Sequence, residues 1–189
     1  MNLSIVFIAA AMISLLGVFS VLVFVFASLI ISQISGAPYV PLPKKSLKAI
    51  LTAARIGESG NFYDLGAGDG RVLLEAVGSF GVEKAVGYEV AFWPYWKAAF
   101  LVRRSGLGPR IKIFRRNFFD ADLSGAKTVF MYLFPKLIQK AALKLGRELK
   151  TGARVVCISF KIENPENSGF RLIKEERADK FDVFVYEKI

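Results

Sequence analysis

The hydrophobic pattern changes character twice along the chain. Residues 3–31 read LSIVFIAAAMISLLGVFSVLVFVFASLII, with no charged position and nineteen Leu, Ile, Val or Phe. As a helix at ~1.5 Å per residue this run would extend about 43 Å, against a hydrocarbon core of ~30 Å. A transmembrane helix is predicted. The competing reading is a cleaved signal peptide, but that would call for a basic start and an apolar core of only ~7 to 15 residues, and Met1-Asn2 supplies no basic side chain. The following SGAPYVPLPKKS contains Pro38, Pro41 and Pro43, which forbid helix continuation and favour extended backbone. Leu47, Ile50, Leu51 and Ala54 then fall at helical spacing, with Gly57 as the expected C-cap of a short amphipathic helix. Beyond it, strand and helix patterns alternate. Strands are predicted at 61–65, 84–90, 111–115, 128–134 and 154–160, and helices at 71–80, 94–105 and 136–149, with Pro94 and Pro135 near helix starts. Residues 170–174 and 181–186 are β-rich and separated by a charged turn, which predicts a closing antiparallel hairpin. The pattern implies an α/β three-layer sandwich, divided as an anchor (1–35), a linker with a pre-domain helix (36–57) and a catalytic-sized domain (58–189).

Charge sharpens this division. All 26 Lys and Arg and all 16 Asp and Glu lie after residue 43. Lys44, Lys45, Lys48 and Arg55 follow the apolar helix and no cation precedes it, so the positive-inside rule places the domain on the cytoplasmic, or matrix-equivalent, side of a single-pass anchor. The net charge of +10 invites a nucleic-acid reading, yet there is no Arg-rich run and acids are interspersed from Glu58 onward. A basic surface facing anionic lipid accounts for the excess, so the bilayer is the expected partner and nucleic acid is not. The chain has no His and one Cys, which excludes Ser-His-Asp and Cys-His machinery, His-ligated zinc and an intramolecular disulfide. No metal is expected. Cys157, inside an apolar strand, reads as a small buried hydrophobe.

Chemistry is concentrated in NFYDLGAGDGRVLLEA, where a strand ends in Asp64 and Gly66, Gly68 and Gly70 lead into a helix. Glycines there allow a tight turn and let a bulky ligand approach backbone at a helix N-terminus. The next strand carries Glu89 at its carboxyl edge, where an acid can accept both hydroxyls of a ribose. An adenosine-containing cofactor is implied. A dinucleotide fingerprint would need its third glycine at Arg71, and a phosphate loop would need G-K-[ST] where Gly70-Arg71-Val72 stands. Asp64 and Asp69 add negative charge beside the loop, which repels a pyrophosphate and suits a ligand with an amino group and a sulfonium. S-adenosylmethionine has both.

The sequence D-L-G-A-G-D-G, with Glu89 at the end of the following strand, resembles motifs I and II of class I S-adenosylmethionine-dependent methyltransferases. That resemblance implies a Rossmann-like seven-stranded sheet in the order 3-2-1-4-5-7-6, the hairpin supplying the last two strands, and implies that Asn117 and Phe118 border the adenine. A narrower resemblance rests on the apolar N-terminal helix, Y-V-P-L-P at 39–43, G-Y-E-V at the second strand and F-P-K-L-I-Q-K-A-A-L-K-L-G-R-E-L-K-T-G-A-R-V-V after the fourth. These segments are similar to the membrane-anchored protein-lysine methyltransferases that act on the ATP synthase c-subunit and the adenine nucleotide translocase. The implied acceptor is a lysine of a membrane-associated protein. A lipid headgroup amine or lipophilic small molecule, and a non-catalytic membrane adaptor with the same fold, are the alternatives.

Where amide- and adenine-directed methyltransferases commonly carry [DN]-P-P-[YF], this chain reads Tyr132-Leu133-Phe134-Pro135, which favours an sp3 amine. Tyr132, Phe134 and Pro135 are candidates for the acceptor channel. Tyr39 joins them because the resemblance lays its segment over the active site; an interfacial anchor is its other reading, and core packing is the other reading for Phe134. The aromatic group Phe92, Trp93, Tyr95 and Trp96 is expected to pack its helix or touch the bilayer, with one ring near the adenine as the other reading. Asp120 and Asp122 are read as a solvated loop or as partners for a substrate cation.

Overall fold

The computed structural model describes residues 3–34, 40–57 and 60–189; Tyr39 and Pro38 lie outside the described residues. Helix α1 (Leu3–Ile34) contains one window, Val6–Phe26, long and apolar enough to cross a membrane, and none of that window is buried. Helix α2 (Lys44–Ala53) is by contrast part of the core: Leu47, Ile50 and Leu51 are buried against the domain. Gly57 is not its cap. The helix closes on Ala54, and Arg55 takes the left-handed conformation (φ 48°), with Ile56 N–H reaching back to Leu51 O. A Schellman-type ending was thus available without glycine.

Seven strands form one sheet in the order β3-β2-β1-β4-β5-β7-β6. They are β1 (Asn61–Leu65), β2 (Lys84–Glu89), β3 (Ile111–Arg115), β4 (Thr128–Met131), β5 (Arg154–Ile158), β6 (Phe170–Ala178) and β7 (Phe181–Lys188). The first five are mutually parallel and β7 runs antiparallel to both β5 and β6. Helices α3 (Arg71–Ser79) and α4 (Phe92–Arg104) join α2 on one face, and α5 (Pro135–Glu148) covers the other. The alternation inside β5 shows how the sheet builds two cores. Val156 and Ile158 point to the α2/α3 side, while Val155 and Cys157 point to the α5 side, all fully buried.

Several element ends depart from the hydrophobic pattern, each for a local reason. β4 stops at Met131, although the apolar run continues to Phe134, because its partner β1 turns away after Leu65. β5 stops at Ile158 because Ser159 adopts φ 68°. α4 begins at Phe92, two residues before Pro94, since a proline in the first turn removes an N–H that has no intrahelical partner. β6 runs on through the charged residues to Ala178, and the turn is only Asp179–Lys180, with Asp179 at φ 57°. As the sheet's edge strand, β6 exposes Glu175, Glu176 and Arg177 to solvent, so its charge does not signal a loop.

Candidate active site

Parallel pairing of β1 with β2 and β4 brings the carboxyl ends of three strands to one edge, and the loops there enclose a cavity of about 270 Å³. That is close to the lower end, about 300 Å³, of small-molecule sites. The glycine loop forms its floor. Gly66 and Ala67 N–H both donate to Tyr88 O (3.0 and 2.9 Å), folding the chain sharply back across the top of β2. Gly66, Gly68 and Gly70 sit at φ 87°, 55° and 76°, conformations that side chains with a Cβ rarely adopt. At Gly66 a Cβ would also come within 2.9 Å of Leu133 Cδ2.

Three acids line the floor, and each is compensated differently. Glu89, at the end of β2, accepts from Gly68 N–H on Oε2 (2.9 Å) and from Ala91 N–H on Oε1 (2.7 Å). Burial raises its carboxyl above the usual range, and these backbone donors oppose the shift. A carboxylate has about four lone-pair sites, so Glu89 keeps acceptor capacity while its plane is locked by backbone. Asp69 is held by Arg71 (2.6 Å) and Lys97 (2.9 Å). Asp64 has the opposite fate. Its carboxyl is fully buried, and Oδ2 has no hydrogen-bond partner among the described residues. Desolvation first, then Glu89 and Asp69, push it up to about 8.

Of the sequence candidates, Asp64, Gly66, Gly68, Asp69, Glu89, Asn117, Phe118 and Tyr132 line this one cavity. Gly70 stands just behind it as the N-cap of α3. Asn117 Oδ1 accepts from Phe119 N–H (3.0 Å), capping a short 3-10 turn that swings Phe118 and Phe119 into the wall. Tyr132 is half-buried, its ring edge-on to Phe181 at 6.0 Å. Phe134 and Pro135 are exposed and do not line the cavity; Leu133, Leu137 and Lys140 occupy the wall there. Asp120 and Asp122 also lie outside the lining.

The motif reading missed Arg71. Besides holding Asp69, its Nη1 donates to Leu42 O at 2.6 Å, which straps Val40-Pro41-Leu42 across the cavity. The signal was available: a guanidinium two residues after the loop acid can bridge that acid to a carbonyl of an incoming segment. Arg116 carried no motif, and Lys140 lay in the segment after the fourth strand without a role assigned to it; the sheet places both cations at the wall.

The profile of the ANTKMT methyltransferase domain matches residues 64–168, which span the glycine loop, Glu89, Tyr132 and α5. The chain belongs to this methyltransferase family. Over 137 residues it is 37% identical to a protein-lysine N-methyltransferase of Saccharolobus islandicus (strain REY15A), covering 71% of this chain and 85% of that protein. It is 33% identical over 125 residues to the adenine nucleotide translocase lysine N-methyltransferase of Mus musculus, covering 66% of this chain. The chain spans only about half (54%) of that mouse protein's length. The crystal structure of an RNA methyltransferase from Salinibacter ruber in complex with S-adenosyl-L-homocysteine superposes with a TM-score of 0.71 at 28% identity, covering 78% of this chain and 93% of that one.

This methyltransferase uses S-adenosylmethionine, and its own floor fits that cofactor. The orphaned Asp64 oxygen calls for a cationic donor such as an amino-acid ammonium, and the spare lone pairs of Glu89 suit a vicinal diol. Bound there, S-adenosylmethionine supplies an electrophilic methyl. The protein's share is to hold the acceptor in line and to keep water out, which needs no nucleophilic side chain.

Proposed function

We propose that this methyltransferase transfers a methyl group to a lysine of a membrane-associated protein, from the cytoplasmic face of the membrane that α1 crosses. The observation that carries the reading is the 37% identity to a protein-lysine N-methyltransferase across a stretch that contains the cavity-forming loops. The wall is also suited to the acceptor. A lysine ammonium, pKa ~10.4, must lose about 3 pH units' worth of proton affinity to react near neutrality, roughly 4 kcal/mol. Lys140 and Arg116 at the wall disfavour a further cation and favour the neutral amine.

The membrane part rests on the charge-free window Val6–Phe26 and on Lys44, Lys45 and Lys48 following it. S-adenosylmethionine is found inside cells, which agrees with that orientation. Tyr39 is retained as a channel candidate because Val40, its neighbour, lines the cavity. Incubation of source membranes with methyl-labelled S-adenosylmethionine, followed by separation of protein from lipid, tests the acceptor. Label in protein that appears as methyl-lysine on hydrolysis is expected. Label confined to the lipid fraction would make a headgroup amine the acceptor and overturn the proposal.

A further inference from the structure

The cations of this chain are not spread evenly along its sequence. Between residues 90 and 119 there are seven, Lys97, Arg103, Arg104, Arg110, Lys112, Arg115 and Arg116, and no acid at all. The same stretch contains α4, which buries Pro94, Ala98 and Val102 against the domain and turns an aromatic stripe outward. Trp93 is 67% exposed, Trp96 54% and Phe100 62%. At 100° per residue these three and the exposed Arg103 and Arg104 fall within a sector of about 100°. Large aromatic rings flanked by cations, with no anion among them, are the composition of a helix that lies in the boundary between lipid headgroups and acyl chains.

A second observation says what covers this face. Phe92, the first residue of α4, meets Phe24 of α1 edge to face, ring centroids 4.9 Å apart, and the Arg115 guanidinium stands over the Phe92 ring at 5.3 Å. Phe24 lies two residues before the end of the apolar window Val6–Phe26. A helix crossing a bilayer in that window brings Phe92 to the level of the acyl-chain boundary, and with it the start of the stripe.

We infer that the exposed face of α4, Trp93, Trp96 and Phe100 with Arg103 and Arg104, docks on the anionic leaflet of the membrane that α1 crosses. Glu89 and Val90 line the cavity and lead directly into α4, so docking holds the cavity mouth beside the leaflet instead of letting it swing on the linker. The inference rests on the anchor reading proposed above, and it is independent of the acceptor's identity.

The chain has two tryptophans, Trp93 and Trp96, so its indole fluorescence reports on this face alone. The full chain is reconstituted in vesicles of phosphatidylcholine with or without phosphatidylserine, prepared with and without brominated acyl chains, and recovered by flotation. The expected result is blue-shifted emission that bromine quenches, more strongly with phosphatidylserine and less so in high salt. Arg103→Glu/Arg104→Glu should relieve the quenching. Each cation near an anionic surface contributes about 1 kcal/mol, so even neutralising both would shift the docked-to-undocked ratio by roughly 25-fold. S-adenosylhomocysteine binding in that variant should be unchanged, which reports that it is folded.

A chain that floats but keeps aqueous, unquenched emission overturns the docking and leaves the anchor standing. A chain that does not float overturns both. Emission quenched by an added oligoribonucleotide and not by brominated lipid overturns the docking in favour of a nucleic-acid face.

Discussion

The proton on Asp64 offers the most direct test of how the site works. Its carboxyl is pushed up to about 8 by desolvation, Glu89 and Asp69, so near pH 7 the cofactor-free protein holds it protonated. Pairing with the ammonium of the cofactor favours the ionised form, so binding releases that proton and affinity rises with pH. If the bound pKa falls well below the assay range, the dissociation constant scales with 1 + 10^(8−pH). S-adenosylhomocysteine should then bind about fivefold tighter at pH ~8 than at pH ~7, and about fifty-fold tighter than at pH ~6. Titration calorimetry in two buffers of different ionisation enthalpy should count close to one proton released at pH ~7. Asp64→Asn should show no such pH dependence and, at pH ~8, bind more weakly by roughly 1.5–3 kcal/mol, the worth of a hydrogen bond to a charged group. Wild-type affinity that stays flat across this range, with heats independent of buffer, would refute the reasoning, because Asp64 would then keep the same proton in both states.

The same carboxyl sets a stability slope of opposite sign. Between pH ~4 and ~8 the folded, cofactor-free protein retains a proton that the unfolded chain has lost, so the Asp64 contribution falls by up to ~1.4 kcal/mol per pH unit as pH rises. Urea titrations of wild type and Asp64→Asn should diverge by that slope. Gly66→Ala, at φ 87° and with Leu133 Cδ2 at 2.9 Å, should destabilise by about 1–3 kcal/mol and weaken cofactor binding, both read by thermal unfolding with and without S-adenosylhomocysteine. Arg71→Met removes the donor to Leu42 O and one partner of Asp69, so it should weaken cofactor binding by about 1–2 kcal/mol. The same variant should also move the pH profile of binding upward, since Asp69 then acts on Asp64 with less compensation; an unmoved profile would reduce Arg71 to a structural brace.

The fold was legible because its signals are local. The glycine loop, Glu89 and the near-continuous apolar runs of β4 and β5 each state a strand end or a buried strand without reference to the rest of the chain. What failed to show was set by partners distant in sequence. The end of β4 depends on where β1 turns away, and the length of β6 on its being an edge strand. The substitute for Gly57 as cap was Arg55 in a left-handed conformation, which propensity alone disfavours. For the site, Asp64, Gly66, Gly68, Asp69, Glu89, Asn117, Phe118 and Tyr132 line one cavity while Gly70, Phe134 and Pro135 do not, and Arg71 and Arg116 reach it through three-dimensional neighbours. The seven-cation stretch from 90 to 119 was readable as composition, yet reading acids as interspersed from Glu58 onward averaged it away. Only the burial of Pro94, Ala98 and Val102 shows which side of α4 carries the exposed charge.

The distribution of compensation among the three floor acids explains why a cavity in a +10 chain can recognise a cationic cofactor yet favour a neutral acceptor amine. Asp69 is paired with Arg71 and Lys97, and Glu89 is hydrogen-bonded by the Gly68 and Ala91 N–H groups, so both already have partners. Only Asp64 is left without a partner at one oxygen, and it lies at the end of β1 beneath the glycine loop. An ammonium that reaches Asp64 gains a charge-assisted bond in a site shielded from water, where such bonds are strongest. An ammonium held at the wall instead meets Lys140 and Arg116. Under the proposed function, depth sets the sign: an ammonium at the floor meets Asp64, one at the wall meets two cations, and an acceptor amine entering as the free base avoids that repulsion.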